Sequence, residues 1–128
     1  MRSRNMPVLT YTKSDITEMN ADKPLFWMDG EIKTPPFSSK ARVEAGCLLR
    51  LLQQGESLGM PHSRALPGIG PRCHELRITD EGNIWRIFYH LASDAVVILE
   101  VLNKKAARIP ESTLRNCERR LKIYRANL

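Results

Sequence analysis

The chain has 128 residues, 42% of them hydrophobic and 27% charged, with a formal net charge of +6 and a pI near 9.5. This length suits one domain that buries its own core without disulfide or metal staples, and the composition excludes a disordered or collagen-like chain. The basic balance favours a polyanionic partner, drawn in by electrostatic steering and by counterion release from phosphates.

Residues 1–23 are polar, with isolated Val8, Leu9 and Ile16 and no sustained period. They read as an N-terminal extension, and residues 24–128 as the domain. Pro24 to Ile32 carries Leu25, Phe26, Trp27 and Met28 and reads as a first strand, with Asp29-Gly30 as a turn or bulge. Thr34-Pro35-Pro36 breaks it. Ser38 or Ser39 can cap a helix that runs to about Gln54, with Val43, Cys47, Leu48, Leu51 and Leu52 as its buried stripe. From Glu56 to Pro71 the chain is rich in Gly and Pro and reads as a loop, with one short turn around Ser63 to Leu66.

Strands follow. Cys73 to Thr79 alternates, Leu76 and Ile78 on one face and Glu75 and Arg77 on the other. Asp80-Glu81-Gly82-Asn83 is a hairpin turn, because Gly82 takes a positive φ without strain. In Ile84 to His90, Trp85, Ile87 and Tyr89 share one face, while Ile84, Arg86, Phe88 and His90 share the other. Ala95 to Leu102 is apolar on both faces except at Glu100, which puts it near the sheet centre. The basic run Asn103-Lys104-Lys105-Ala106-Ala107-Arg108 follows. A last helix starts at Pro110, with Leu114, Cys117, Leu121 and Tyr124 as its stripe and Arg115, Arg119, Arg120, Lys122 and Arg125 as a basic surface.

The three cysteines match no zinc spacing, and their use fits a reducing compartment. Cys47 and Cys117 fall on apolar helix faces and read as small core residues. No His/Asp/Glu spacing resembles a metal-ligand set, so neither metal nor other cofactor is expected. No apolar run approaches the length of a membrane span, and the basic Met1 to Asn5 is followed by no secretory core. A cytoplasmic protein that avoids membranes is the expectation.

Two constellations carry chemistry. Arg77, Arg86, Lys104, Lys105 and Arg108 gather cations on or beside three successive strands. Like charges on adjacent strands repel, so such a cluster costs stability unless an anion visits; the bland reading is a solvated face with Glu75 and Glu100 as local partners. His74, Glu75, Tyr89 and His90 are possible proton-transfer groups. Metal-free RNA cleavage needs a base for the ribose 2′-OH, cations for the phosphoryl oxygens and an acid for the leaving 5′-oxygen. Glu75 suits the base, or else it holds an arginine in place. Lys104 and Lys105 lie close to other cations, which favours their neutral forms and suits one of them to proton transfer. Trp27, Trp85 and Tyr124 read as core, whereas Phe88 and Tyr89 remain open.

The order His-Glu-Leu-Arg-Ile (74–78), Trp-Arg-Ile-Phe-Tyr (85–89), Val-Ile-Leu-Glu-Val-Leu-Asn-Lys-Lys (97–105) and Ile-Pro-Glu (109–111) resembles the RelE/ParE toxins of bacterial type II toxin–antitoxin modules, in their phage-derived HigB-like branch. The resemblance covers about Pro24 to Tyr124. It implies an α+β fold with helices packed on one face of a small, curved, mostly antiparallel sheet, a C-terminal helix, and a concave basic second face. It further implies a metal-independent endoribonuclease that cuts mRNA in the ribosomal decoding (A) site and so inhibits translation. Arg86 would contact the scissile phosphate; Arg77, Lys104, Lys105 and Glu75 would share the catalytic work, and Arg108, His74, Phe88 and His90 would line the substrate. Glu75 stands where RelE carries a basic residue, and the late catalytic tyrosine of RelE has no counterpart in Ile109 to Leu114. The implied partners are mRNA, the ribosome and an antitoxin that occludes Arg77, Arg86 and Lys104, with operator DNA bound only through the antitoxin complex. The alternatives are ParE-like inhibition of gyrase by binding alone, and a degenerate binding module.

Overall fold

The computed structural model describes residues 22–28, 37–103 and 108–127. Its elements are β1 (Leu25–Trp27), α1 (Ser39–Gln53), β2 (Ser63–Ala65), β3 (Cys73–Asp80), β4 (Asn83–Leu91), β5 (Val96–Asn103) and α2 (Glu111–Ala126). The fold is α+β. One five-stranded sheet runs in the order β1-β5-β4-β3-β2, antiparallel except where β1 lies parallel to β5.

Local chemistry sets the ends of these elements. Ser38 caps α1, its Oγ accepting from the Ala41 N–H at 3.1 Å. Gly55, at φ 92°, closes the helix: its N–H reaches the Leu52 carbonyl at 3.0 Å while the Glu56 N–H reaches Leu51 at 3.0 Å. Between β3 and β4 both loop residues, Glu81 and Gly82, have positive φ, a turn whose twist matches that of the flanking strands. Opposite Phe88 and Tyr89 the β4–β5 register shifts by one residue at Leu99, so Phe88 pairs with Glu100 and Tyr89 with Ile98.

The helices lie on opposite faces of the sheet, not on one. The buried face of α1 packs on Leu76, Ile78, Trp85, Ile87, Tyr89, Val96 and Ile98. Cys117, Leu121 and Tyr124 of α2 pack on Cys73, Phe88, Val97 and Leu99. The physical reason lies in β5, whose side chains are apolar on both sides: one helix could cover only half of them. The face expected to be concave and open is therefore partly roofed by α2. Polar contacts secure that roof, with Arg120 Nη1 reaching Glu100 Oε1 at 2.9 Å and the Leu99 carbonyl at 2.6 Å, and Asn116 Nδ2 reaching Glu100 Oε1 at 3.2 Å.

The buried stripe of α1 also differs from the expected one. Ala41, Ala45, Leu48, Leu49 and Leu52 face the sheet, whereas Val43, Cys47 and Leu51 are exposed. Alanine lets the helix backbone approach the strands, and that closeness decides the rotation. Cys117 is buried as expected, and burial pushes its thiol up to about 12. The first strand is three residues long, and the expected turn around Ser63 to Leu66 is a short edge strand. Residues 29–36, with the expected turn and proline break, and residues 1–21 of the extension lie outside the described residues. Among the described residues no helix is long and apolar enough to cross a membrane.

Candidate functional site

The strand registers bring the charged residues together. Arg77 of β3 and Arg86 of β4 are direct cross-strand partners, as are Glu75 and Arg64 of β3 and β2. Period-two alternation puts all four on the α2 face, with Glu75 diagonal to Arg86.

Glu75 is the hub. Its Oε2 accepts from Arg86 Nη1 at 2.8 Å, and both side chains are almost completely buried, at 0% and 1% exposure. Its Oε1 lies 3.0 Å from Arg64 Nη2, a charge-to-charge contact and not an aligned hydrogen bond, and the Arg64 side chain is 43% exposed. Arg77 is half-buried, and its Nε is enclosed without a hydrogen-bond partner. Arg64 and Arg86 thus share one carboxylate, and Arg77 stands on the same face beside them. The face carries surplus positive charge in partly desolvated surroundings, where an anion gains most.

Of the other expected site residues, His74 faces away from the cluster, while Phe88 and His90 are buried on its own face. His74 lies on the α1 face, stacked on Tyr89 with ring centroids 5.2 Å apart. Burial lowers its pKa, opposed by a backbone hydrogen bond at Arg72 and aided by the Arg72 charge. The Tyr89 hydroxyl shares a 2.7 Å hydrogen bond with Ser63 Oγ, and burial raises its pKa. Phe88 is wholly buried beneath α2 and offers no stacking surface. His90 is buried on the α2 face at the far end of β4, its Nδ1 2.9 Å from the Pro71 carbonyl oxygen. A carbonyl only accepts, so Nδ1 carries the proton. Burial is the main cause of the lowered His90 pKa.

Arg108 is exposed, while Lys104 and Lys105 lie outside the described residues. β5 leads directly to them: its last residues, Leu102 and Asn103, pair with Arg86 and Trp85. Arg64 was not among the expected residues. Its strand is three residues long within a Gly/Pro-rich stretch, and only the pairing with Glu75 reveals it. Among the described residues no cluster of His, Cys, Asp and Glu forms a metal-ligand set. A groove of about 620 Å³ between β1 and the end of α2, with Phe26, Met28, Ile123 and Tyr124 in its walls, shares no residue with the arginine cluster.

The model of one protein family, described as phage derived protein Gp49-like (DUF891), matches residues 35–122. No curated protein and no solved structure matches the chain.

Proposed function

The chain belongs to the Gp49-like family of phage-derived proteins, a toxin-like family related to the RelE/HigB toxins, and on that footing we propose that it is the toxin of a type II toxin–antitoxin module, a metal-independent endoribonuclease acting on ribosome-bound mRNA in the cytoplasm. The observation that carries this reading is the excess of arginine over carboxylate on one sheet face, with Arg77 making no side-chain ion pair or hydrogen bond among the described residues.

In the proposed reaction the ribose 2′-oxygen attacks the adjacent phosphorus and the bond to the 5′-oxygen breaks, leaving a 2′,3′-cyclic phosphate and a 5′-hydroxyl. Arg77 binds a phosphoryl oxygen as negative charge builds there, and Arg86, anchored by Glu75, sets the field behind it. Glu75 has two tasks: to hold the arginines and, with one oxygen uncovered, to take the 2′-proton. Lys104 or Lys105 returns a proton to the leaving oxygen, and Arg108 adds a cation on the RNA path. The cognate antitoxin is the expected protein partner; operator DNA is reached only through that complex.

A second reading, binding without cleavage as in a gyrase inhibitor, is favoured by one set of observations: Glu75, Arg86, Phe88 and His90 are buried, which takes four candidate residues out of direct reach in the free protein. The test is induced expression in a bacterial host, wild type beside Arg77→Ala, with mapping of mRNA 5′ ends. Growth arrest with new in-frame cuts, both lost in the variant, supports the nuclease. Arrest without cuts supports inhibition by binding. Arg77 serves better here than Arg86, because truncating a buried, paired arginine confounds activity with folding.

A further inference from the structure

The two arginines on Glu75 are held in different ways. Arg86 is buried, aligned and on a central strand. Arg64 is 43% exposed, meets Glu75 by charge alone, and stands on the three-residue edge strand β2. Losing Arg64 would leave the carboxylate its aligned hydrogen bond from Arg86, so the buried charge would not be orphaned. Losing Arg86 would take from Glu75 its aligned, buried hydrogen bond. Of the two, only Arg64 can leave at small cost.

Arg64 also has somewhere to go. Arg77 is two residues beyond Glu75 on the same face of β3, diagonal to Arg64 across the strand pair. Neighbouring guanidinium groups repel, and a singly charged phosphodiester between them relieves that repulsion while accepting charge-assisted hydrogen bonds from both.

We propose that Arg64 is a substrate-displaced latch on Glu75: an incoming phosphate draws its guanidinium from Glu75 Oε1 to a phosphate oxygen shared with Arg77, and so uncovers a carboxylate oxygen on the RNA side. This rests on the nuclease reading for its purpose but not for its detection. The latch keeps Glu75 covered in the free protein and couples its exposure to a phosphate already in place. Arg64 is then a substrate-contact residue, and Arg86 a positioning residue that does not move.

The experiment has two arms on the full chain. In the first, inorganic phosphate and then a short oligoribonucleotide are titrated into protein labelled with ¹⁵N and ¹³C, and the arginine side-chain N–H signals and the Glu75 carboxyl carbon are followed by NMR. The expected result is that the Arg64, Arg77 and Glu75 signals move together while Arg86 stays still. In Arg64→Ala the Glu75 signal no longer moves. Titration in which Arg77 responds alone, or in which neither arginine responds, overturns the latch. The second arm measures cleavage of mRNA on programmed ribosomes. Arg64→Ala should raise KM about tenfold, the worth of one charge-assisted hydrogen bond, and lower kcat far less. Arg64→Lys should recover most of that loss. A fall in kcat at unchanged KM would make Arg64 a structural brace and sink the proposal. Should the wild type cut no RNA, the proposed function fails, and the titration alone decides the latch.

Discussion

Glu75 and Glu100 occupy one row of the sheet, on either side of Phe88, and each holds an arginine. Around Glu100 the charges balance. Arg120 of α2 meets one carboxylate, and the same guanidinium bonds the Leu99 carbonyl, so the pair fastens a helix to a strand. Around Glu75 they do not: Arg64 and Arg86 converge on it, and Arg77 stands beside it. An ion pair that only braces a fold needs no surplus. An unbalanced one costs stability in the resting protein, and that cost is recovered only when an anion binds.

The largest effect is expected from Glu75→Ala, which removes the carboxylate paired with the buried Arg86 and should cost about 3–5 kcal/mol in urea unfolding at neutral pH. If unfolding were unchanged, the hub assignment would fail. Arg77→Ala should leave stability within about 0.5 kcal/mol yet lower mRNA cleavage by about 10²–10³-fold, as for other lost transition-state donors. Cleavage near wild type in that variant would mean that the surplus charge does no chemistry. Glu100→Ala should do the reverse, lowering stability by about 1–2 kcal/mol because the pair is only partly shielded, with no loss of cleavage once folded protein is counted.

The smallest effect concerns pH. The pKa values of His74 and His90 are lowered in the folded protein, chiefly by burial, so the unfolded chain binds protons that the folded one refuses. Their contribution is fully present above the ordinary histidine value of 6.5 and is lost as pH falls below it through the folded values. Thermal melts between pH 7.5 and 5 should fall on the acid side, and His90→Asn should flatten part of that slope. A melting temperature independent of pH in this range would contradict the burial of both imidazoles as neutral rings.

Much of the architecture is legible in the residues. The β3–β4 hairpin follows from alternation plus a loop that tolerates positive φ, α1 from its serine cap, and α2 from Pro110 and its apolar period. The pairing of Arg77 with Arg86 on one face follows from the same alternation. What hydrophobicity misjudges is size: Val43, Cys47 and Leu51 outrank Ala41 and Ala45 on any apolar scale, but the sheet accepts the smaller side chains. The two-sided β5 already argues against helices on one face, because Val97 and Leu99 need cover as much as Val96 and Ile98 do. Arg64 is not legible: three residues between prolines show no period, and its role arises only from a partner eleven positions along the chain. The burial of Arg86 is equally hidden, because residue type marks a cation as exposed until its carboxylate is seen.

The two-residue loop of Glu81 and Gly82 has a consequence for the chemistry as well as for the fold. A strand has only two sides, so which residues meet the arginine cluster is a matter of parity, and this loop sets it by locking Asp80 opposite Asn83. One residue inserted there would, if the rest of β4 kept its place in the sheet, turn β3 over: Glu75 and Arg77 would point into the apolar layer under α1, and Leu76 and Ile78 toward the α2 face. Lengthening the loop by two would restore the parity. The hairpin tip makes none of the contacts described at the arginine cluster, yet it decides whether the chain has a site at all.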